Sequence, residues 1–491
     1  MRVPSELYRP SLALLTDLYQ LTMAYAYWKS GVAEREAVFY LHFRELPFQG
    51  GFAVACGLGP AIDYVETLRF DDDDLAYLAS LDGADGKPLF EPAFLVHLRG
   101  LRIACDIDAV PEGTVVFPQE PLLRVKGPVL HCQLLETPLL TLVNSQTLIA
   151  TKAARVKLAA KDQPVIEFGL RRAQGIDGGV SSCRAAFVGG VDATSNLLAG
   201  RLFGIPVRGT HAHSWVLTFE DEQHAFQAYA EAMPNNCILL VDTYDSLEGT
   251  RRAARTGRWL RGQGHELIGI RLDSGDLAYL STRARAILDE EGFLGAKIVA
   301  SGDLDERIIE SLHDQGARID IWGVGTRLTT AFDQPALGGI YKLSAVRGPD
   351  GRWEHRLKLS EQLAKTTTPG VLQTRRFTSE GLFAGDMIWD ELLGPGESPP
   401  TIVDQSDSTR RKRFPEESLS EDLLVPVFRG GQRVYEPPAL EQSRERTRSQ
   451  LSMLHPGIKR FLNPHTYPVG LEMTLHQVKT RLILQARKLQ E

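Results

Sequence analysis

From residue 165 onward the chain alternates short apolar runs with polar or glycine turns and helical segments. The runs are Val165-Ile166-Glu167-Phe168, Ile205-Pro206-Val207, Ile238-Leu239-Leu240-Val241, Leu267-Ile268-Gly269-Ile270, Lys297-Ile298-Val299-Ala300 and Ile319-Asp320-Ile321-Trp322, with Gly339-Ile340-Tyr341-Lys342-Leu343 closing the series. Repeated strand–helix units imply parallel strands. Their number, and the absence of a G-x-G-x-x-G after any of them, favours a complete or partial α/β barrel over an open dinucleotide-binding sheet.

Before residue 165 the pattern is mixed. Residues 12–28 carry apolar positions at helical spacing, with Thr16 as cap and Asp17 in the first turn. Residues 37–43 alternate like a strand that Glu45-Leu46-Pro47 ends, and 57–68 reads as a helix. Residues 109–125 are strand-like but punctuated by Pro111, Gly113, Pro118 and Pro121, which predicts a small β-rich region with edge strands. Residues 134–160 form a long helical stretch. Beyond the repeats, 342–377 is strand-like and basic, 395–413 reads as a solvent loop, and 425–436 as a strand pair returning to the small domain. Residues 441–452 and 474–490 read as charged amphipathic helices with solvated surfaces. The expected fold is α/β. A barrel-like catalytic domain, 136–345, joins a smaller α+β domain built from 1–135 and completed by 346–491.

Composition narrows the function classes. The 491 residues are 43% hydrophobic and 24% charged, an ordinary globular balance. A formal net charge of −7 argues against a general nucleic-acid or anionic-membrane binder, while leaving room for a local basic pocket. Cys56, Cys105, Cys132, Cys183 and Cys237 are scattered without a C-x-x-C pair, which fits a reduced cytoplasmic protein better than a disulfide framework or zinc site. Residues 1–10 lack a basic region followed by an apolar run, and no long apolar stretch occurs, so neither a signal peptide nor a membrane span is expected.

In barrels of this kind the active site lies at the carboxyl ends of the strands. Thr210-His211-Ala212-His213-Ser214 follows one of them and brings two imidazoles and two hydroxyls to one loop. Histidine there can be nucleophile, base or proton donor; a polar loop with satisfied histidines is the alternative. Glu167-Phe168-Gly169-Leu170-Arg171-Arg172 offers an aromatic ring and guanidinium groups suited to a planar anion, or else a salt-bridged strand end. Gly189-Gly190-Val191-Asp192-Ala193-Thr194 starts a helix, with capping the default role of Asp192 and Thr194. Val241-Asp242-Thr243-Tyr244-Asp245 and Arg271-Leu272-Asp273-Ser274-Gly275-Asp276 place carboxylates beside an arginine. That set suits Mg²⁺, ribose hydroxyls and phosphates, with helix capping the rival role for Asp245 and Asp276. Ala300-Ser301-Gly302-Asp303 and Gly323-Val324-Gly325-Thr326 read as phosphate-binding turns before helices, or as plain tight turns. Together these ends describe a site for a ring acid and a sugar polyphosphate, which means phosphoryl or phosphoribosyl transfer.

Thr16-Asp17-Leu18-Tyr19-Gln20-Leu21-Thr22-Met23, residues 167–175, 209–214 and 271–276, and Gly323-Val324-Gly325-Thr326 resemble, in order, the nicotinate phosphoribosyltransferase family. The basic segment Lys358-Leu359-Ser360-Glu361, with Lys365, Thr366, Pro369 and Gly370, is similar to the family too. One departure is that Val371-Leu372 stands where the family usually has a lysine. The resemblance implies a type II phosphoribosyltransferase fold acting as a homodimer with a shared active site, on small-molecule substrates. It implies formation of nicotinate mononucleotide and diphosphate from nicotinate and 5-phosphoribosyl 1-diphosphate, coupled to ATP hydrolysis and feeding NAD biosynthesis. By the same resemblance His213 is the transiently phosphorylated histidine. Tyr19 (from the other subunit) and Phe168 sandwich the pyridine ring, and Arg171 and Thr210 hold its carboxylate. Arg271 and Asp273 bind the ribosyl diphosphate, Ser301, Gly302, Gly323, Gly325 and Thr326 the 5-phosphate, and Mg²⁺ neutralises the leaving diphosphate, its ligands unassigned. Three rivals are a nicotinamide-using relative with Asp192 accepting from the amide, a quinolinate-using relative, and an inactive binding protein on the same fold.

Overall fold

The computed structural model describes residues 11–360 and 366–488; Glu361, Lys365 and the end of the 474–490 segment lie outside them. The chain divides into two compact units, one running to Leu148 and resuming at Ala336, the other Ile149–Pro335.

The first unit holds two large sheets. One runs Trp353–His355, Gly339–Arg347, Glu36–Phe43, Leu123–Pro128, Asp106–Ala109, Val425–Arg429 and Gln432–Arg433. The Gly339–Arg347 strand therefore does not close the parallel series, as its apolar run suggested. It pairs antiparallel with Glu36–Phe43, from Phe43 opposite Gly339 to Ala37 opposite Val346. A short apolar run fits either a parallel strand or an interior antiparallel one, and pairing decides which. Leu123–Pro128 is likewise interior rather than at an edge, because Pro111, Pro118 and Pro121 sit in the loops before it. The expected return of the C-terminal segment is met by Val425–Arg429 on Asp106–Ala109.

The second sheet runs Arg411–Arg413, Thr401–Asp404, Val469–Glu472, Leu382–Asp390, Leu372–Ser379 and Leu419–Asp422. Residues 395–413 are thus no plain solvent loop: Ile402 and Val403 are buried, and two strands form where Pro, Ser and Asp masked a short alternation. Val371 and Leu372 are buried too, Leu372 against Tyr40, Ile388, Leu471 and Leu475, so apolar packing occupies the place of the family's lysine. The first helix among the described residues is Leu18–Lys29, shorter than expected, with Asp17 rather than Thr16 at its cap position. The Asp17 carboxylate accepts instead from Thr137 Oγ1 at 2.8 Å. The late helices are Leu440–Ser452 and Met473–Ala486; each buries a stripe, Ser443, Thr447 and Leu451 in one and Leu475 and Val478 in the other.

The second unit carries six parallel strands in the order Ala193–Thr194, Val165–Glu167, Ile321–Val324, Lys297–Ala300, Gly269–Leu272 and Ile238–Leu240. A parallel bridge between Thr194 and Val207 extends the first edge. The order in space is therefore the order in sequence, read in a circle with one opening, between Val207 and Ile238–Leu240. This is a partial barrel. Helices Glu222–Ala232, Ser246–Gly262 and Leu277–Glu290 cover it around a core that includes Phe226, Leu239, Val241, Leu260, Ile270 and Ile298. Asp221, Asp245, Asp276 and Asp305 cap helices through their carboxylates, which settles the roles of Asp245 and Asp276. Among the described residues no helix is long and apolar enough to cross a membrane.

Candidate active site

The strand Val165–Glu167 ends in a loop that begins with Phe168, whose N–H donates to the Val324 carbonyl at 2.8 Å. Its ring packs close against Gly323: a Cβ added there would stand 2.6 Å from two ring carbons. Gly323 is inside the strand Ile321–Val324, so its missing side chain makes a seat for Phe168 rather than a tight turn. Arg171 follows on a single turn of 3-10 helix, Leu170–Arg172, and is exposed.

The strand Gly269–Leu272 carries Arg271, and Asp273 follows its last residue. Arg271 donates to Thr210 Oγ1 at 2.6 Å and stands 3.9 Å from Asp273. Burial pulls the guanidinium pKa down, opposed by Asp273 and Asp242, and its Nε is enclosed without a hydrogen-bond partner among the described residues. Asp273 Oδ1 accepts from Ser301 Oγ at 2.5 Å, and Gly302, at φ +115°, lies over the Asp273 carbonyl, where a Cβ would approach to 2.7 Å. Gly325 leads into the short helix Thr326–Thr329.

The two histidines have different surroundings. His211 is buried, and its Nε2 accepts from the Leu240 N–H at 3.2 Å, across the opening of the barrel. Burial first, then the Arg271 and His213 charges, hold its pKa down to about 4 against a raising contact with the Ala212 carbonyl. It is a neutral structural ring. His213 is partly open, with Nδ1 3.1 Å from Thr243 Oγ1 and Nε2 3.8 Å from Asp242 Oδ1. The Asp242 side chain is 2% exposed; its Oδ2 accepts from the Asp273 N–H at 2.9 Å and Ser274 Oγ at 2.7 Å, while Oδ1 has no hydrogen-bond partner among the described residues.

Contacts therefore link Phe168 to Gly323 and on to Ser301, Asp273, Asp242 and His213, with Thr210 joined through Arg271. Tyr19 lies in the first unit, on Leu18–Lys29, 48% exposed. Asp192 does not cap a helix; it pairs with Lys157 at 2.9 Å and accepts from the Val165 N–H, at the amino end of the sheet. Thr194 is a strand residue bonded to Glu167, and the helix Leu197–Phe203 is capped by Asn196.

The known proteins most informative for this chain span nearly all of it. The family model described as nicotinate phosphoribosyltransferase (NAPRTase) N-terminal domain matches residues 14–144, and the corresponding C-terminal domain model matches 373–479. A nicotinate phosphoribosyltransferase of Bacillus subtilis (strain 168) is 44% identical over 485 residues, covering 96% of this chain and 97% of that protein. The chain belongs to the nicotinate phosphoribosyltransferase family. A second member, nicotinate phosphoribosyltransferase 2 of Arabidopsis thaliana, is 36% identical over 531 residues, covering 94% of this chain and 92% of that protein. The crystal structure of human nicotinic acid phosphoribosyltransferase superposes with a TM-score of 0.81 at 33% identity, covering 95% of this chain and 99% of that one.

In this family member, sequence reasoning did not single out Asp242 and Thr243 as partners of His213. The signal was there, since both follow the strand Ile238–Leu240, but only pairing of neighbouring strands brings them to the ring of His213.

Proposed function

We propose that this enzyme joins nicotinate to 5-phosphoribosyl 1-diphosphate, with ATP hydrolysis coupled through phosphorylation of His213. The observation that carries this reading is the pairing of a half-open imidazole with a buried carboxylate oxygen that lacks a donor, beside the Arg271–Asp273–Ser301 group. The ring nitrogen bearing the lone pair attacks the γ-phosphorus of ATP; the N–P bond forms as the P–O bond to ADP breaks, and water later attacks the same phosphorus, so that the N–P bond breaks and phosphate leaves. Asp242 and Thr243, one at each nitrogen, orient the ring and stabilise the cation that results. Nicotinate stacks on Phe168 and meets Arg171 and Thr210 through its carboxylate. Its ring nitrogen then attacks C1 of the ribose, and the C1–O bond breaks with its electron pair leaving on diphosphate. Arg271 and Asp273 hold the departing end, and Ser301, Gly302, Gly325 and Thr326, with Gly323 beneath, face the 5-phosphate. The site's work is positioning and charge compensation.

Mg²⁺ supplies charge neutralisation for the diphosphate. The adjacent Asp242 and Asp273 fit an ion carried by substrate and water; among the described residues no cluster of three or more His, Cys, Asp or Glu is arranged to cage one. Tyr19, exposed beside Leu18, supports a homodimer in which it completes a partner's site. Five buried cysteines, none in a disulfide, suit the reducing cytoplasm, and the product would enter NAD biosynthesis. The engagement of Asp192 by Lys157 counts against a nicotinamide-using site built on that residue.

The test is mononucleotide formation from 5-phosphoribosyl 1-diphosphate and Mg²⁺ with nicotinate or nicotinamide, with and without ATP. Product from nicotinate, raised by ATP, supports the proposal. Product chiefly from nicotinamide, or none, rejects it.

A further inference from the structure

Glu167 is a buried acid that the reaction above does not use. It is the last residue of Val165–Glu167 and is 1% exposed. Oε1 accepts from the Gly169 N–H in a short hydrogen bond. Oε2 accepts from Thr194 Oγ1 at 2.7 Å and lies 3.0 Å from Cys183 Sγ. Burial, reinforced by the Glu167 charge, pushes the Cys183 thiol up to about 12, so it keeps its proton, with the Glu167 carboxylate and the Gly179 carbonyl, each at 3.0 Å, as its acceptors. Thr194 Oγ1 in turn accepts from the Asn196 N–H at 3.0 Å, which leaves its proton for Glu167. The carboxylate is thus a joint between the strand Ala193–Thr194, the helix Gly175–Val188 and the loop after Val165–Glu167.

That loop carries the ring-acid platform. Phe168 is held independently, by its N–H to Val324 and by Gly323 under its ring. Gly169 is held by Glu167 on one side and packed against Thr329 on the other: a Cβ there would stand 2.4 Å from Thr329 and 2.8 Å from Oε1. The Gly169 carbonyl accepts from the Arg172 N–H at 2.7 Å and so starts the turn that bears Arg171.

We infer that Glu167 is a positioning residue for recognition of the pyridine carboxylate: its clamp on Gly169 N–H fixes the turn that aims Arg171. This rests on the nicotinate reading above. Glutamine in its place has the same shape but one acceptor oxygen and no charge: whether that oxygen turns to the Gly169 N–H or to the Thr194 and Cys183 side, the clamp on Gly169 is weakened. The turn then loosens without loss of the strand.

The test is steady-state kinetics of Glu167→Gln beside the wild type, with the thermal midpoint as a fold control. The KM for nicotinate rises about tenfold, the worth of one hydrogen bond to a charged group. The KM for 5-phosphoribosyl 1-diphosphate and the kcat stay within about twofold. Cys183→Ser, which keeps a donor facing Oε2, behaves as wild type. If Glu167→Gln does not fold, Thr194→Val removes one donor and raises the same parameter by a smaller factor. Parallel rises in both KM values, or an unchanged nicotinate KM in the variants that fold, overturn the inference. A wild type that does not use nicotinate at all overturns the functional reading instead.

Discussion

Asp242 Oδ1 lies 3.8 Å from His213 Nε2, too far for a hydrogen bond, and no group among the described residues donates to it. A buried acceptor without a donor is costly unless a protonated or phosphorylated ring arrives to use it. The other oxygen of Asp242 is spent on the Asp273 backbone and Ser274, so the same carboxylate ties the histidine to the diphosphate end of the site. Asp242→Asn keeps those contacts in part and removes the charge. ATP stimulation of mononucleotide synthesis falls about a hundredfold in Asp242→Asn and is abolished in His213→Ala, while ATP-independent synthesis persists in both. Undiminished stimulation in His213→Ala would sink the phosphohistidine assignment.

Arg171 is exposed on its short turn, free to close on a ligand carboxylate. In Arg171→Ala the dissociation constant of nicotinate rises about tenfold to a hundredfold, and that of ATP is unchanged. Equilibrium binding measures both; equal weakening of the two means that Arg171 serves the fold.

Gly323→Ala places a methyl group 2.6 Å from the Phe168 ring. The ring must lift, because strand backbone lies beneath it. Nicotinate KM therefore rises, and labelling of His213 by γ-phosphate-labelled ATP continues. Loss of labelling together with nicotinate binding contradicts this division of the site.

His211 titrates near 6.5 when unfolded and near 4 when folded. Between those values the unfolded chain binds more protons at this residue, so stability is full above about pH 6.5 and declines as pH falls toward 4, by up to about 1.4 kcal/mol for each pH unit. Denaturant unfolding from pH 7 to 4 shows that slope, and His211→Asn flattens it. An equal slope in the variant assigns the acid sensitivity to other groups.

Arg376 and Asp386 are both fully buried, 2.5 Å apart, in the first unit. Tyr467 Oη donates to Asp386 at 2.8 Å, and Gln450 accepts from Arg376 at 3.0 Å. Arg376→Met strands the Asp386 charge and lowers stability by about 3–5 kcal/mol. A thermal unfolding midpoint within a degree or two of wild type would contradict this.

Much of the second unit was legible along the chain. Parallel strands are buried on both sides, so each reads as an apolar run, and the residues just beyond each run must lie at the carboxyl end of the sheet. The runs 165–168, 238–241 and 297–300 coincide with strands, while 267–270 and 319–322 begin two residues before Gly269–Leu272 and Ile321–Val324; beside them lie Phe168, Arg171, Asp242, Arg271, Asp273 and Ser301. The helix caps Asp245 and Asp276 are local as well: each depends on a hydrogen bond to an N–H three residues on.

What the tertiary structure alone decided was pairing. Gly339–Arg347 carries an apolar run that fits two sheets, and only its ladder with Glu36–Phe43 assigns it. Asp192 precedes a strand rather than a helix because Ala193–Thr194 finds a partner in Val165–Glu167, which turns its carboxylate to Lys157. His211 and His213 are two residues apart and chemically alike in sequence, yet one is closed over by the Leu240 backbone and the other opens toward Asp242. A side chain's charge state and partners depend on what surrounds it in space, and contacts made across some 30 residues are not written in either segment by itself.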